Sequence, residues 1–178
     1  MPGNVESTLH LLSGWQPRKD GTAASDAKIL NEALGSEFEA VAAYQVAADS
    51  GLLQKPVLDV AMNFQGQHQA HADFLARTVK SLGGNPVELK KMGDYNFPTG
   101  NLKTQMDVLR FGAGLEQGAA RAYLGMVAAL DDRNLAKAIA SILGDETMHW
   151  AILRQAIGEE PVPSAFPITW EDPRASQH

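Results

Sequence analysis

The chain has 178 residues, 44% hydrophobic and 20% charged, which suits one globular domain with a sizeable core. Its net charge of -6 argues against nucleic acid and anionic lipid surfaces as partners. The absence of cysteine excludes disulfides, Cys-ligated zinc, iron–sulfur clusters and thiol nucleophiles. Nothing approaches the run of about eighteen apolar residues needed for a membrane span. The opening residues, Met1 to Glu6, lack the basic and apolar regions of a secretory leader, so the cytoplasm is the expected compartment, with export the alternative if a leader has been removed.

Residues 1–24 scatter Gly, Pro and charge without a sustained period and read as an arm, with at most a short helix around Leu9–Leu12. A first helix opens after Ser25, an N-cap type, and runs to about Ser50, where Gly51 stops it. Its face reads Leu30, Leu34, Glu37, Val41, Tyr44 and Ala48. Pro56 suits the first turn of a second helix with face Val57, Val60, Phe64, His68, His71, Leu75 and Leu82, ended by Gly83-Gly84-Asn85-Pro86. Residues 86–101 form the one long connection, rich in Pro and Gly and carrying Lys90 and Lys91. A third helix starts near Asn101 or Thr104, with face Leu109, Gly112, Glu116, Ala120, Tyr123, Val127 and Leu130. After the turn Asp131-Asp132-Arg133-Asn134 comes a fourth, with Leu135, Ile139, Ile142, Glu146, His149, Leu153 and Ala156, closed by Gly158.

The organisation is therefore an arm (1–24), an all-α four-helix bundle (25–158) and a Pro-rich tail (159–178). Short loops join antiparallel neighbours, and the long connection lets the second and third helices run parallel.

The two helix pairs repeat each other, and the repeat falls on polar residues within apolar faces. Glu37 to Tyr44 and Glu116 to Tyr123 both read E-x-x-A-x-x-A-Y. His68-Gln69-Ala70-His71 aligns with Glu146-Thr147-Met148-His149. A glutamate on a core-facing stripe is costly unless it is paired or bound to a cation. Residues three apart on a helix share a face, so the two side chains of an E-x-x-H reach one ion. Carboxylates mixed with imidazoles suit iron or manganese, with zinc an alternative.

With these residues in place, the chain resembles the ferritin-like superfamily, including ferritin, bacterioferritin and rubrerythrin, and above all stand-alone bacterial ferritin-like proteins, some tied to stress. The resemblance covers about residues 26–158 and implies a di-iron carboxylate site. It makes Glu37 and Glu116 terminal ligands, His71 and His149 the histidine ligands and Glu146 a bridging carboxylate. Tyr44 and Tyr123 match tyrosines that hydrogen-bond the ligand glutamates. The departure is His68, which stands where the family has a second bridging glutamate. An imidazole brings no negative charge, and Gln65 and Gln67 do not restore one. Three outcomes follow for the centre: two ions under a single carboxylate bridge, one ion, or none.

A lone histidine on an apolar stripe is ordinarily a hydrogen-bonded core residue. Six Glu and His residues in register across two homologous halves favour ligation instead. Two functions are then in view: iron- or manganese-dependent redox chemistry with dioxygen or peroxide, in stress or metal homeostasis, and a non-catalytic stress or partner-binding bundle with a structural or lost metal. Metal ions are the expected partners, and a homodimer through one bundle face is compatible with the pattern. Glu32, Glu39 and Asp145 read as solvated, Trp150 as packing against a neighbouring helix, and Met62, Met126 and Met148 as core filler.

Overall fold

The computed structural model describes residues 21–168, so the short helix expected near Leu9–Leu12 lies outside the described residues. The body is four helices: α1 (Gly21–Asp49), α2 (Lys55–Ser81), α3 (Gln105–Ala129) and α4 (Arg133–Ala156). No strand occurs among the described residues. Helix α1 is already helical at Gly21, the first described residue, rather than opening after Ser25, and Ala23 and Ala27 are buried against the bundle.

The ends of the helices follow from local chemistry. Gly51 and Gly83 take φ of +68° and +84°, the left-handed conformation that lets the chain turn after α1 and α2. At the start of α3, Thr104 Oγ1 accepts from the Asp107 amide at 3.2 Å while Asp107 Oδ2 accepts from the Thr104 amide at 2.8 Å. This reciprocal cap resolves the start of α3 in favour of Thr104. Asp132 caps α4 by accepting from the Asn134 and Leu135 amides.

Residues 50–54 and 130–132 are the short connections, and residues 82–104 the long one. The starts of α2 and α3 lie at the same end of the bundle, beside the last turns of α1 and α4, so the long connection travels its whole length. It does so through two 3-10 turns, Met92–Asp94 and Thr99–Asn101. Asn31 anchors it to α1, donating to the Asn85 carbonyl and accepting from the Val87 amide, both at 2.8 Å.

Two apolar clusters fill the interior, one at each end. The larger joins Leu30, Leu34, Leu75, Val79, Leu135 and Ile139, all essentially without solvent contact. The smaller joins Tyr44, Ala61, Phe64, Leu109, Trp150 and Leu153. Trp150 packs inside it, with the Arg154 guanidinium 5.0 Å above the ring. Four expectations about the core need correction, one of them Ala156, expected on the core face of α4 but exposed. Met62 and Met148 are 43% and 58% exposed and fill nothing, because their positions rotate off the buried stripe; Met126 does pack against the core. Val60, expected on the core face of α2, is 39% exposed.

Asp26 is a buried carboxylate that the periodic pattern did not single out. Its two oxygens accept from the Asp131 and Asp132 amides, each at 2.9 Å, tying the first turns of α1 to the α3–α4 turn. Asp26→Ala removes this acceptor from both amides and should lower unfolding stability by about 2–3 kcal/mol in urea titrations, with Asp26→Asn losing about half as much. A loss below about 0.5 kcal/mol for the alanine variant would remove Asp26 from this role.

Candidate metal centre

Between the two apolar clusters the bundle brings together the six polar residues of the repeat. Glu37 comes from α1, His68 and His71 from α2, Glu116 from α3, and Glu146 and His149 from α4. Five are buried almost completely, while His71 keeps 15% of its side chain exposed. They form two overlapping groups, Glu37–His68–His71–Glu146 and His68–Glu116–Glu146–His149. Within each group one donor atom per residue lies within 4.8 Å of all the others, close enough to hold a metal ion. His68 and Glu146 belong to both groups and so stand on the pseudo-twofold axis.

The surrounding hydrogen bonds fix this arrangement. Tyr44 O–H donates to Glu116 Oε1, and Tyr123 O–H donates to Glu37 Oε1. Each tyrosine thus holds the glutamate of the opposite half, stitching α1 to α3 across the core. His149 Nε2 lies 2.7 Å from Gln67 Oε1 and 3.5 Å from Asp145 Oδ2, and His71 Nε2 lies 3.4 Å from Asp145 Oδ2. An Nε2–H engaged by these acceptors leaves each Nδ1 facing the centre, the orientation a metal-ligating imidazole requires.

Asp145 therefore corrects the expectation of a solvated face: it is partly buried and serves both histidines. Gln67 also has a role that sequence reasoning missed, and the repeat carried the signal. Gln67-His68 is the counterpart of Asp145-Glu146, so the α2 half lacks a carboxylate at both places where the α4 half has one.

Several buried atoms lack a directed hydrogen bond: both oxygens of Glu146, Glu116 Oε2, and the Nδ1 atoms of His71 and His149. His71 Nδ1 does lie 3.2 Å from Glu146 Oε1, but its alignment is too poor to satisfy either atom. Orphaned oxygens and imidazole nitrogens converging on one place fit a bound cation. His68 differs from the other five. Its Nδ1 sits 2.8 Å from Glu37 Oε2 and its Nε2 3.2 Å from Glu116 Oε1, so it bridges two carboxylates with both ring nitrogens.

Electrostatics express the same crowding. Burial works to raise Glu37, but the hydrogen bond from His68 and the nearby positive charge of His71 prevail and hold it at about 2. Glu116 is lowered likewise: burial opposes, and His149 and His68 prevail. For Glu146 burial dominates and pushes it up to about 8, although His71 pulls the other way. Burial alone would lower His68 and His71, yet their carboxylate partners raise them to about 10 and about 11. Burial first, and then the facing carboxylates, raise Tyr44 and Tyr123 and keep both as donors at neutral pH. Without a cation, then, two imidazoliums oppose two carboxylates and Glu146 carries a proton.

The sequence matches the ferritin-like domain family over residues 25–159, three quarters of the chain. The protein belongs to that family. Its fold is similar to that of a conserved hypothetical protein, rv2844, from Mycobacterium tuberculosis, with a TM-score of 0.69 and 18% identity over 83% of this chain and 100% of that one. It is also similar to ferritin-like, diiron-carboxylate proteins from Bacillus anthracis str. Ames, with a TM-score of 0.61 and 20% identity over 78% of this chain and 99% of that one. No curated protein matches the chain. As a ferritin-like protein it places its glutamates and histidines on all four helices. None of its helices, among the described residues, is long and apolar enough to cross a membrane.

These shifts set the pH response of the ferritin-like bundle after chelation. Glu37, lowered, contributes stability that is present above about 4.5 and lost as pH falls through about 2. Glu146, raised, contributes below about 4.5 and loses its contribution as pH rises through about 8. His68 and His71, raised, contribute below about 6.5 and lose theirs as pH rises through about 10 and 11. The Tm of EDTA-treated protein should therefore be highest near about pH 4.5–5 and fall steadily toward about pH 9. A Tm that stays level or climbs over that interval would contradict this charge assignment.

Proposed function

We propose that this ferritin-like protein holds two redox-active transition-metal ions, iron or manganese, and uses them to react with dioxygen or peroxide in metal homeostasis or stress defence. The observation that carries the reading is the pair of four-residue groups sharing Glu146, both of whose carboxylate oxygens are buried and without hydrogen-bond partners. A carboxylate can bridge two ions, whereas its burial without a cation is costly. Glu37 with His71 would hold one ion and Glu116 with His149 the other, with His68 as a further donor.

The chain's own residues prepare the centre. Tyr44 and Tyr123 orient Glu116 and Glu37 and keep those carboxylates from turning outward. Asp145 and Gln67 steady the two histidine rings. The two apolar clusters exclude bulk water from either end, which strengthens every charge interaction between them. Glu146, easily protonated in the empty centre, can take up or release a proton as charge there changes. Bound iron or manganese would supply the electron transfer to dioxygen or peroxide.

A second reading rests on His68. Its two nitrogens already link Glu37 and Glu116, so an imidazolium supplies between them part of the charge that a metal would supply. On this reading the bundle is a non-catalytic stress or partner-binding protein, with one structural ion or none.

Elemental analysis separates the two. Protein purified without added metal, or reconstituted anaerobically, should carry more than one iron or manganese per chain and should oxidise ferrous ion or consume peroxide. Glu146→Ala should at least halve the metal content and reduce turnover by about tenfold or more. Protein that takes up no metal and stays inert would leave the second reading, and His68→Glu should then raise occupancy. Because His68, His71 and Glu146 are protonated in the empty centre at neutral pH, loading should release up to about three protons and tighten as pH rises from about 6 to 8. Calorimetry in buffers of different ionisation heat measures that release.

A further inference from the structure

The end of the bundle formed by the first turns of α2 and α3 and the last turns of α1 and α4 carries a cavity of about 180 Å³. Small residues from three helices create it: Ala43 and Ala47 on α1, Ala61 on α2 and Gly112 on α3. A bundle of this width ordinarily carries large aliphatic side chains at such positions, and leaving the space unfilled forfeits packing energy. The lining is apolar apart from the hydroxyl of Tyr44, which is already committed to Glu116. Water therefore finds no partners there, since a buried water needs about two to four hydrogen bonds. Val60 and Ile152, at 39% and 46% exposure, belong to the lining and open it to solvent. The departure of Val60 from the buried stripe belongs to this opening.

The cavity adjoins the six-residue centre. Phe64, in its wall, stacks on the His149 ring with centroids 4.0 Å apart and meets Tyr44 edge-on at 6.1 Å. A molecule in the cavity would thus touch one ring resting on a candidate ligand and another hydrogen-bonded to Glu116.

We propose that this cavity is a binding site for a small, uncharged, apolar molecule, an aromatic ring or a short alkyl chain. Size supports the class: apolar cavities of about 150 Å³ stay dry and bind benzene. Charge supports it too, because no side chain in the lining could neutralise an ionised group. Binding depends only on the cavity; that the molecule lies against a working metal centre rests on the function proposed above.

Fluorobenzene is the probe, titrated into chelated protein and followed by 19F NMR and by thermal unfolding. The expected result is saturable binding in the millimolar range or tighter, with a rise in Tm. Ala47→Phe should weaken binding at least tenfold by filling the space. If that variant does not fold, Ala61→Leu gives the same test with a smaller insertion. Absence of saturable binding to the unaltered protein overturns the proposal, as does equal binding by a folded cavity-filling variant. Measuring metal content on the same preparation keeps the two ideas apart. Probe binding without metal uptake sinks the redox reading alone, and metal uptake without probe binding sinks the cavity site alone.

Discussion

Three carboxylates buried at the centre of a four-helix bundle set the terms for the rest of this structure. An uncompensated ionised carboxylate in such a place is among the least tolerable groups a protein can hold. Every polar feature nearby answers that cost: two tyrosine hydroxyls reach across the core, three histidines face inward, and Glu146 is displaced toward its protonated form. The apolar clusters at either end supply the folding free energy that makes the arrangement affordable.

The compensation is not symmetric, although the fold nearly is. On α4 the sequence Asp145-Glu146 provides a partner for two imidazoles and a carboxylate on the axis. On α2 the equivalent Gln67-His68 provides a neutral acceptor for His149 and an imidazole on the axis. Both changes remove negative charge from the same half. With His68 protonated the core offsets its own buried charge, so a cation entering it would compete with protons already in place. That competition links the bundle's stability and its cation affinity to the same groups, with opposite dependence on pH.

The apolar end contributes more than insulation. Phe64 and Tyr44 separate the centre from the cavity by a single layer of rings, so occupancy of one can be felt at the other through direct contact. The larger cluster, by comparison, packs tightly around Leu30, Leu34, Leu75 and Ile139 and anchors the half of the bundle where Asp26 pins the α3–α4 turn.

Much of this was legible in one dimension. Helical spacing, loop lengths and the two E-x-x-A-x-x-A-Y segments were enough to establish four helices, their order and the six inward Glu and His residues, because a helix repeats its faces every three to four positions. Periodicity could not show which tyrosine meets which glutamate: Tyr44 and Glu116 are 72 positions apart and Tyr123 and Glu37 are 86 apart. Those pairings depend on how the two helix pairs are set side by side. The same limit left Asp145 undecided between a solvated face and a place behind Glu146, because it meets both imidazoles only once α2 is packed beside α4. It also hid the acceptor role of Asp26, and the space between Ala47, Ala61 and Gly112, which only the lateral distance between helices creates. Rotation about a helix axis is written locally in the sequence; translation between helices is a property of the packed whole.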